Sequence, residues 1–292
     1  MRWRWRSWIT CIAVSFCLAV ASCANADDTF FAPVPVDEYV LTYPNETPPE
    51  ERVPPELQRL VDFRAADGTR VFGALVLRPG DEAKSAPTVV YSHGNSDNIE
   101  AYWNRVGLLW ALGANVLIYD YRGFGKTEGK ITEAGIYQDA QAALAYVRSL
   151  GPEIDQSRLF FYGYSLGGVA ALELGATSSP YRGLILESPF TSADDLAAEA
   201  FLVLPSSFVV DFRFDNIGKV AAATRNSGGA LIFHGSADDF IAPEHSRRLA
   251  AAIPVELPHE LVLIDAAKHD DVPYRAPGRD LYRRKVRELF AR

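Results

Sequence analysis

Cysteine is scarce in this chain and unevenly placed. Its three copies, Cys11, Cys17 and Cys23, all fall within the first 23 of 292 residues. The remainder therefore carries no internal disulfide and no thiol to oxidise, a composition suited to an oxidising envelope compartment. A long apolar run is lacking too. The N-terminal one, Trp8 to Val20, is about thirteen residues, short of the ~20 that a membrane-spanning helix needs. Positive charge is outnumbered, 29 Lys and Arg against 37 Asp and Glu, for a net charge of −8. Without Arg2, Arg4 and Arg6 the net charge falls to −11, which argues against nucleic acid as a partner. No repeat and no low-complexity tail appears. The apolar content of 48% over this length is enough for one large domain with a substantial core.

The first 26 residues read as a targeting segment. The three arginines make a positive n-region ahead of the short apolar run, the pattern of a signal peptide. Two cleavage readings compete. Val20-Ala21-Ser22-Cys23 resembles a bacterial lipobox, giving a signal peptide over residues 1–22 and a lipid anchor on Cys23. Ala24-Asn25-Ala26 offers an ordinary site, with cleavage after Ala26. Either way the expected address is the cell envelope, and with Ala24 in second position a lipidated form in a Gram-negative source is expected at the outer membrane. Residues 23–56 hold seven prolines between Pro33 and Pro55. They read as an extended arm, a spacer between anchor and domain, with one short edge strand over Asp37–Thr42.

From residue 57 to 292 the pattern is that of an α/β domain. Leu60–Arg64 and Val71–Leu77 are joined across Asp67-Gly68, a hairpin signal. Short apolar strands are then expected at Thr88–Tyr91, Asn115–Tyr119, Leu159–Tyr164, Leu184–Leu186, Ala230–Phe233 and Leu261–Ile264. Helices are expected at Ile99–Leu112, Thr132–Leu150, after Gly167, and at Arg279–Phe290. Uninterrupted apolar strands alternating with helices imply a mostly parallel sheet covered on both faces, opened by an antiparallel hairpin. In such sheets reactive groups gather beyond the carboxyl ends of the strands.

The stretch around which the rest is organised is Gly163-Tyr164-Ser165-Leu166-Gly167, between the Leu159–Tyr164 strand and a helix-friendly Val169-Ala170-Ala171. Gly-x-Ser-x-Gly alone is a weak pattern. Strand, tight turn and helix around it is the context of a nucleophile elbow, where the serine projects from a strained turn. A serine hydroxyl is a poor nucleophile near neutral pH unless an imidazole takes its proton and a carboxylate orients that imidazole. Downstream, in the order serine, acid, histidine, stand Asp238 and His269, each just past a strand. Asp239 would point elsewhere, and Asp265, Asp270 and Asp271 lie too near His269 in sequence to orient it. His259 precedes its strand, His245 sits on a helix, and His93 and His234 suit structural hydrogen bonds. The oxyanion of an acyl-transfer intermediate needs two N–H donors. Leu166 supplies one, and the His93-Gly94-Asn95 loop supplies the other, from Asn95 or, as second choice, Ser96.

With these residues in view the chain resembles the α/β-hydrolase superfamily, in particular its membrane-associated esterase and lipid-hydrolase branch. The stretches that carry the resemblance are Ser92-His93-Gly94-Asn95, Tyr119-Asp120-Tyr121-Arg122-Gly123-Phe124-Gly125, Gly163 to Gly168, Glu187-Ser188-Pro189-Phe190, and His234-Gly235-x-x-Asp238. The resemblance covers residues from about 60 to the C-terminus. It implies a Ser165, Asp238, His269 triad, a small-molecule ester or lipid substrate, and no metal or organic cofactor. Ala267-Lys268 departs from the glycine often found before the histidine. A thioesterase, a lysophospholipase, a peptidase on the same fold and a non-catalytic binding lipoprotein are the alternatives. The resemblance implies a short lid-like connection over 191–229, whose apolar patches at Ala200–Pro205 and Phe208–Val210 either floor an acyl-chain pocket or pack onto the sheet. Tyr164, Phe190 and Phe240 are candidates to line the substrate site. Arg122 is expected to brace its own loop through Asp139.

Overall fold

The computed structural model describes residues 31–178, 181–200 and 212–292. The expected signal peptide, Cys23 and both cleavage sites lie outside them, as does nearly all of the apolar stretch expected in the lid connection. The elements run in the order β1 (Ala32–Pro33), β2 (Gln58–Arg64), β3 (Arg70–Val76), β4 (Thr88–Ser92), β5 (Ser96–Asp97), α1 (Trp103–Ala111), β6 (Asn115–Tyr119), α2 (Glu133–Ser149), β7 (Leu159–Tyr164), α3 (Gly167–Thr177), β8 (Gly183–Glu187), α4 (Ala193–Ala200), α5 (Asn216–Arg225), β9 (Ala230–Gly235), α6 (Pro243–Ala251), β10 (His259–Ile264) and α7 (Gly278–Phe290).

Eight strands form one mixed sheet in the order β10-β9-β8-β7-β4-β6-β3-β2. β2 pairs antiparallel with β3 and β3 with β6; every other pairing is parallel. This is the α/β architecture that the strand–helix alternation predicts, hairpin included. Every residue of β4, β6, β7, β8 and β9 is buried, while β2 at one edge alternates between partly buried and exposed. Strands covered on both faces need apolar side chains at every position, which is why their sequences read as unbroken runs.

Successive strand residues point to opposite faces, and two cores result. Val90, Leu117, Phe161, Leu184 and Ile232 pack under α2, α3, α5 and α6. Val89, Val116, Phe160, Ile185 and Leu231 pack against α1 and α7, where Trp103, Val106, Tyr282 and Val286 close the layer. Truncating one large member such as Phe161 to Ala costs about 3–5 kcal/mol. Caps mark the helix starts: the Thr132 side chain accepts from Gly135 N, and Asp215 from Gly218 N.

The arm departs from expectation. Asp37–Thr42 forms no strand, and the pairing occurs earlier, with β1 parallel to β5. The reason lies in the prolines. Pro33 and Pro35 leave backbone donors only at Ala32, Val34 and Val36, and these reach Asn95 O (2.9 Å), Asp97 O (3.1 Å) and Gly125 O (3.2 Å). At Val40 the N–H is taken by the Glu100 carboxylate, 2.5 Å away, rather than by a strand. From Phe31 on, the arm is a strap fastened to the domain rather than a free spacer. Tyr39 Oη donates to Asp120 at 2.5 Å, and the buried Glu51 carboxylate pairs with Arg283 on the last helix.

Candidate active site

β7 delivers Ser165 at the carboxyl end of the sheet's central strand. Its φ is +52°, in the left-handed region that non-glycine residues adopt only at a cost of about 1–3 kcal/mol. The turn is held by Ser165 N donating to Glu187 O (2.8 Å) and Gly168 N donating to Ser165 O (2.9 Å). Its tightness dictates the flanking glycines. A Cβ on Gly163 would lie 2.4 Å from the Gly167 carbonyl oxygen, and one on Gly167 would lie 1.9 Å from that of Ser92.

The other two residues arrive from the next loops along the same rim. Asp238 follows β9, and its Oδ1 accepts from the N–H groups of Phe240 and Ile241, both at 2.9 Å. His269 follows β10. The two loops are joined by Ala237 N donating to Ala267 O (2.9 Å), and a Cβ on Gly235 would lie 2.3 Å from that carbonyl oxygen. His269 Nδ1 lies 2.8 Å from Asp238 Oδ2, and its Nε2 lies 3.0 Å from Ser165 Oγ. The carboxylate accepts at Nδ1, so the proton sits there and Nε2 is left to accept from the serine hydroxyl. Residues 73 and 31 positions apart in sequence thus share one hydrogen-bonded line.

The Asp238 side chain is inaccessible to solvent. Burial disfavours its charge, yet hydrogen bonds from His234 and His269, the charge on His269 when protonated, and the Ile241 N–H outweigh that. The carboxyl is held well below its usual range. His234 was not expected here. It is fully buried, with Nε2 3.1 Å from Asp238 Oδ2 and 2.9 Å from Ile241 O, and Nδ1 2.6 Å from Ser246 Oγ. A carbonyl only accepts, so Nε2 carries the proton and Asp238 is flanked by two imidazole donors. The spacing of His234 and Asp238 in one turn was the available signal.

A second unforeseen group lies underneath. Arg105, on α1 and buried, donates to Glu187 Oε1 (2.8 Å) and to the carbonyl oxygen of Asp270 (2.9 Å), next to His269. Its guanidinium carbon is 4.0 Å from the centre of the Tyr164 ring. Nothing in the local sequence of a helix reveals a partner 165 residues away.

The two segments expected to supply N–H donors are also brought together. Leu166 is the residue before α3, whose first N–H groups have no carbonyl four residues back. Close contact between Gly167 and the carbonyls of Ser92 and His93 sets the start of the Asn95 loop against the elbow. Tyr121 Oη donates to His93 O at 2.9 Å, and Gly94 lies so near Tyr102 that a Cβ would stand 2.8 Å from its hydroxyl.

Of the aromatic candidates, Tyr164 and Phe240 sit beside the His269 ring, with centroids 5.4 and 5.0 Å away. Phe240 is 64% exposed, an apolar surface at the mouth. Phe190 instead packs edge-on to Phe214 in the core. Arg122 braces its loop on Asp139, as expected. His93 and His245 are buried and hydrogen-bonded, to Gly94 O and the Thr191 hydroxyl. Asp239 is exposed and pairs with Lys268. Among the described residues no group of three or more His, Cys, Asp or Glu is arranged to hold a metal ion.

Sheet order, elbow and rim define this enzyme as a hydrolase of the α/β-hydrolase fold. The sequence model described as serine aminopeptidase, S33 matches residues 83–228, and the chain belongs to that family. It is 31% identical over 229 residues to YfhR of Escherichia coli K12, covering 77% of this chain and 78% of that one. Among solved structures, the Pyrococcus furiosus esterase Pf2001 superposes with a TM-score of 0.68 at 20% identity, over 90% of this chain and 97% of that one. The Pyrococcus horikoshii acylaminoacyl peptidase superposes with a TM-score of 0.64 at 16% identity, over 80% and 41%. At such identities these likenesses speak for the fold alone.

Proposed function

We propose that this hydrolase cleaves carboxylic esters through an acyl-enzyme. The observation that carries the reading is the line Asp238–His269–Ser165, at 2.8 and 3.0 Å, ending on a serine of positive φ. Ser165 Oγ attacks the ester carbonyl while His269 Nε2 takes its proton. The same nitrogen then returns the proton to the leaving alcohol, and water repeats the sequence to release the acid. Asp238 holds the tautomer and stabilises the imidazolium. The N–H groups of Leu166 and Asn95 hold the developing oxyanion at the helix start. Tyr164 and Phe240 contact the substrate.

Ser165→Ala is expected to lower turnover of short p-nitrophenyl esters by about 10³-fold or more. A variant keeping most of the activity rejects the assignment. The family's description favours testing a second substrate class: aminoacyl anilides run beside the ester panel separate a peptidase from an esterase. For the N-terminus we propose lipidation at Cys23. Metabolic labelling with a palmitate analogue should mark the wild type and not Cys23→Ser, and a soluble mature form beginning at Asp27 would exclude it.

A further inference from the structure

We infer that the N-terminal strap, Phe31 to Val34, positions the candidate active site from outside it: its backbone N–H groups hold the loop proposed to supply the second oxyanion donor. The inference deepens the ester-hydrolase reading and rests on it. The strap's non-proline residues alternate with Pro33, so the N–H groups of Ala32 and Val34 face one side, and both land on the loop. Ala32 N donates to the carbonyl oxygen of Asn95, the residue whose own N–H is proposed to meet the oxyanion, and Val34 N donates to that of Asp97. In return the Asn98 side-chain amide donates to Val34 O at 3.1 Å.

Asp97 has a φ of +63°. Such a residue persists only where its surroundings over-determine it, and the strap supplies that constraint from outside the sheet. Below the loop the buried Asp120 carboxylate receives Ile99 N (3.0 Å), sits 3.1 Å from His93 Nε2, and accepts from Tyr39 on the strap's continuation. Both ends of the loop are thus tied, directly or through Asp120, to residues 31–39. Phe31 locks the strap edge-on to Phe124, Phe212 and Phe214. Removing the strap's two donors would leave the loop with its backbone unchanged in sequence but free to drift, and oxyanion stabilisation is steep in donor position.

The test removes the two donors and so unfastens the strap from the loop. Ala32 and Val34 have exposed side chains, and proline at each removes the N–H and sets its ring carbon against the carbonyl oxygen that the N–H met, which detaches the strap from the loop without touching the core. In the full chain, Ala32→Pro with Val34→Pro is expected to lower kcat about ten- to hundredfold with KM within about twofold. Affinity for a trifluoromethyl ketone, whose adduct places an oxyanion in the same spot, should fall in parallel. Ala32→Val, which keeps the N–H, should retain wild-type kcat. Val36→Pro removes the strap bond to Gly125 O instead, and should leave kcat within about twofold. Independently of activity, amide hydrogen exchange over residues 93–98 should rise about tenfold or more in the double-proline protein and stay unchanged over β7 and α3. Should the double variant not fold, Tyr39→Phe carries the same comparison, with an expected loss in kcat of about threefold. Unchanged exchange in the loop, or an equal loss of kcat in Val36→Pro, overturns the inference. Failure of the ester-hydrolase reading looks different: the wild type itself would neither turn over esters nor react with a fluorophosphonate, while the exchange result would still decide whether the strap holds the loop.

Discussion

Two arginines, Arg105 under the candidate site and Arg122 at the hairpin side of the sheet, each meet a carboxylate that is wholly shut off from solvent. Arg105 meets Glu187 at 2.8 Å; Arg122 meets Asp139 at the same distance. Both carboxylates are inaccessible to solvent and both guanidiniums nearly so. The difference lies in where the remaining donors go. Arg105 sends one to the backbone beside His269 and lays its face over Tyr164, the residue before the serine. Its carboxylate partner also accepts from Tyr162, whose hydroxyl lies 2.9 Å from that of Tyr282. Arg122 sends one to Asp67 in the hairpin turn, 2.7 Å away, and another to Gln138 on the helix it already grips. One pair thus ties α1 and β8 to the loop that carries His269, and the other ties a turn to a helix. Identical chemistry, placed on different elements, braces the His269 loop in one case and staples the scaffold in the other.

Truncation to alanine is expected to be the most damaging at both sites, because each leaves a buried carboxylate without its partner. Arg105→Ala should lose about 3–5 kcal/mol of stability, and Arg122→Ala about 3 kcal/mol, its second partner Asp67 being at the surface. Urea unfolding measures both, and a loss below 1 kcal/mol at either would remove that pair from the comparison.

Lysine substitution separates the roles. It keeps the charge and gives up the planar fork that meets two acceptors at once. Arg105→Lys should lower kcat for a short ester about tenfold at nearly constant KM, since the His269 loop loses its tie. Arg122→Lys should leave kcat within about twofold while still lowering the unfolding midpoint. Equal kcat losses in the two proteins would show that the two pairs do not differ in role.

The smallest effect concerns acid. Hydrogen bonds from Arg122 and from Thr69 lower the Asp67 pKa from 3.8 to about 2. A carboxylate with a lowered folded pKa contributes its full stabilisation above the ordinary value and loses it as pH falls toward the lowered one. The difference in unfolding midpoint between wild type and Asp67→Asn should hold steady from pH 6 to about 4 and shrink toward pH 2. A gap independent of pH would mean that the Asp67 charge does nothing for the staple.

Much of this arrangement was legible in advance. The central strands declared themselves as unbroken apolar runs because both their faces are covered. Gly163 and Gly167 bracket Ser165 because a Cβ at either would strike backbone, so the elbow leaves a local signature. Asp238 and His269 were found by elimination along one sheet edge, a rule of topology applied to chain order. The misplaced strand at Asp37–Thr42 had apolar and β-branched residues, but its Val40 N–H went to the Glu100 side chain, while the Pro-interrupted stretch before it had donors at alternate positions and made the pairing. His234 and Arg105 escaped notice for different reasons. The first was set aside as structural, and its contact with Asp238 depends on how one turn folds back. The second sits on a helix whose local pattern announces only an apolar face.

Composition, periodicity and spacing by themselves determined the class of fold, the serine and the order of its partners, since those depend on short-range sterics and on the strand–helix alternation. Tertiary structure alone decided which arginine serves the His269 loop, which histidine flanks the acid, and that the proline-rich arm lies against the Asn95 loop. Those facts are distances between segments far apart in the chain, set by how layers pack, and no window of local sequence contains them.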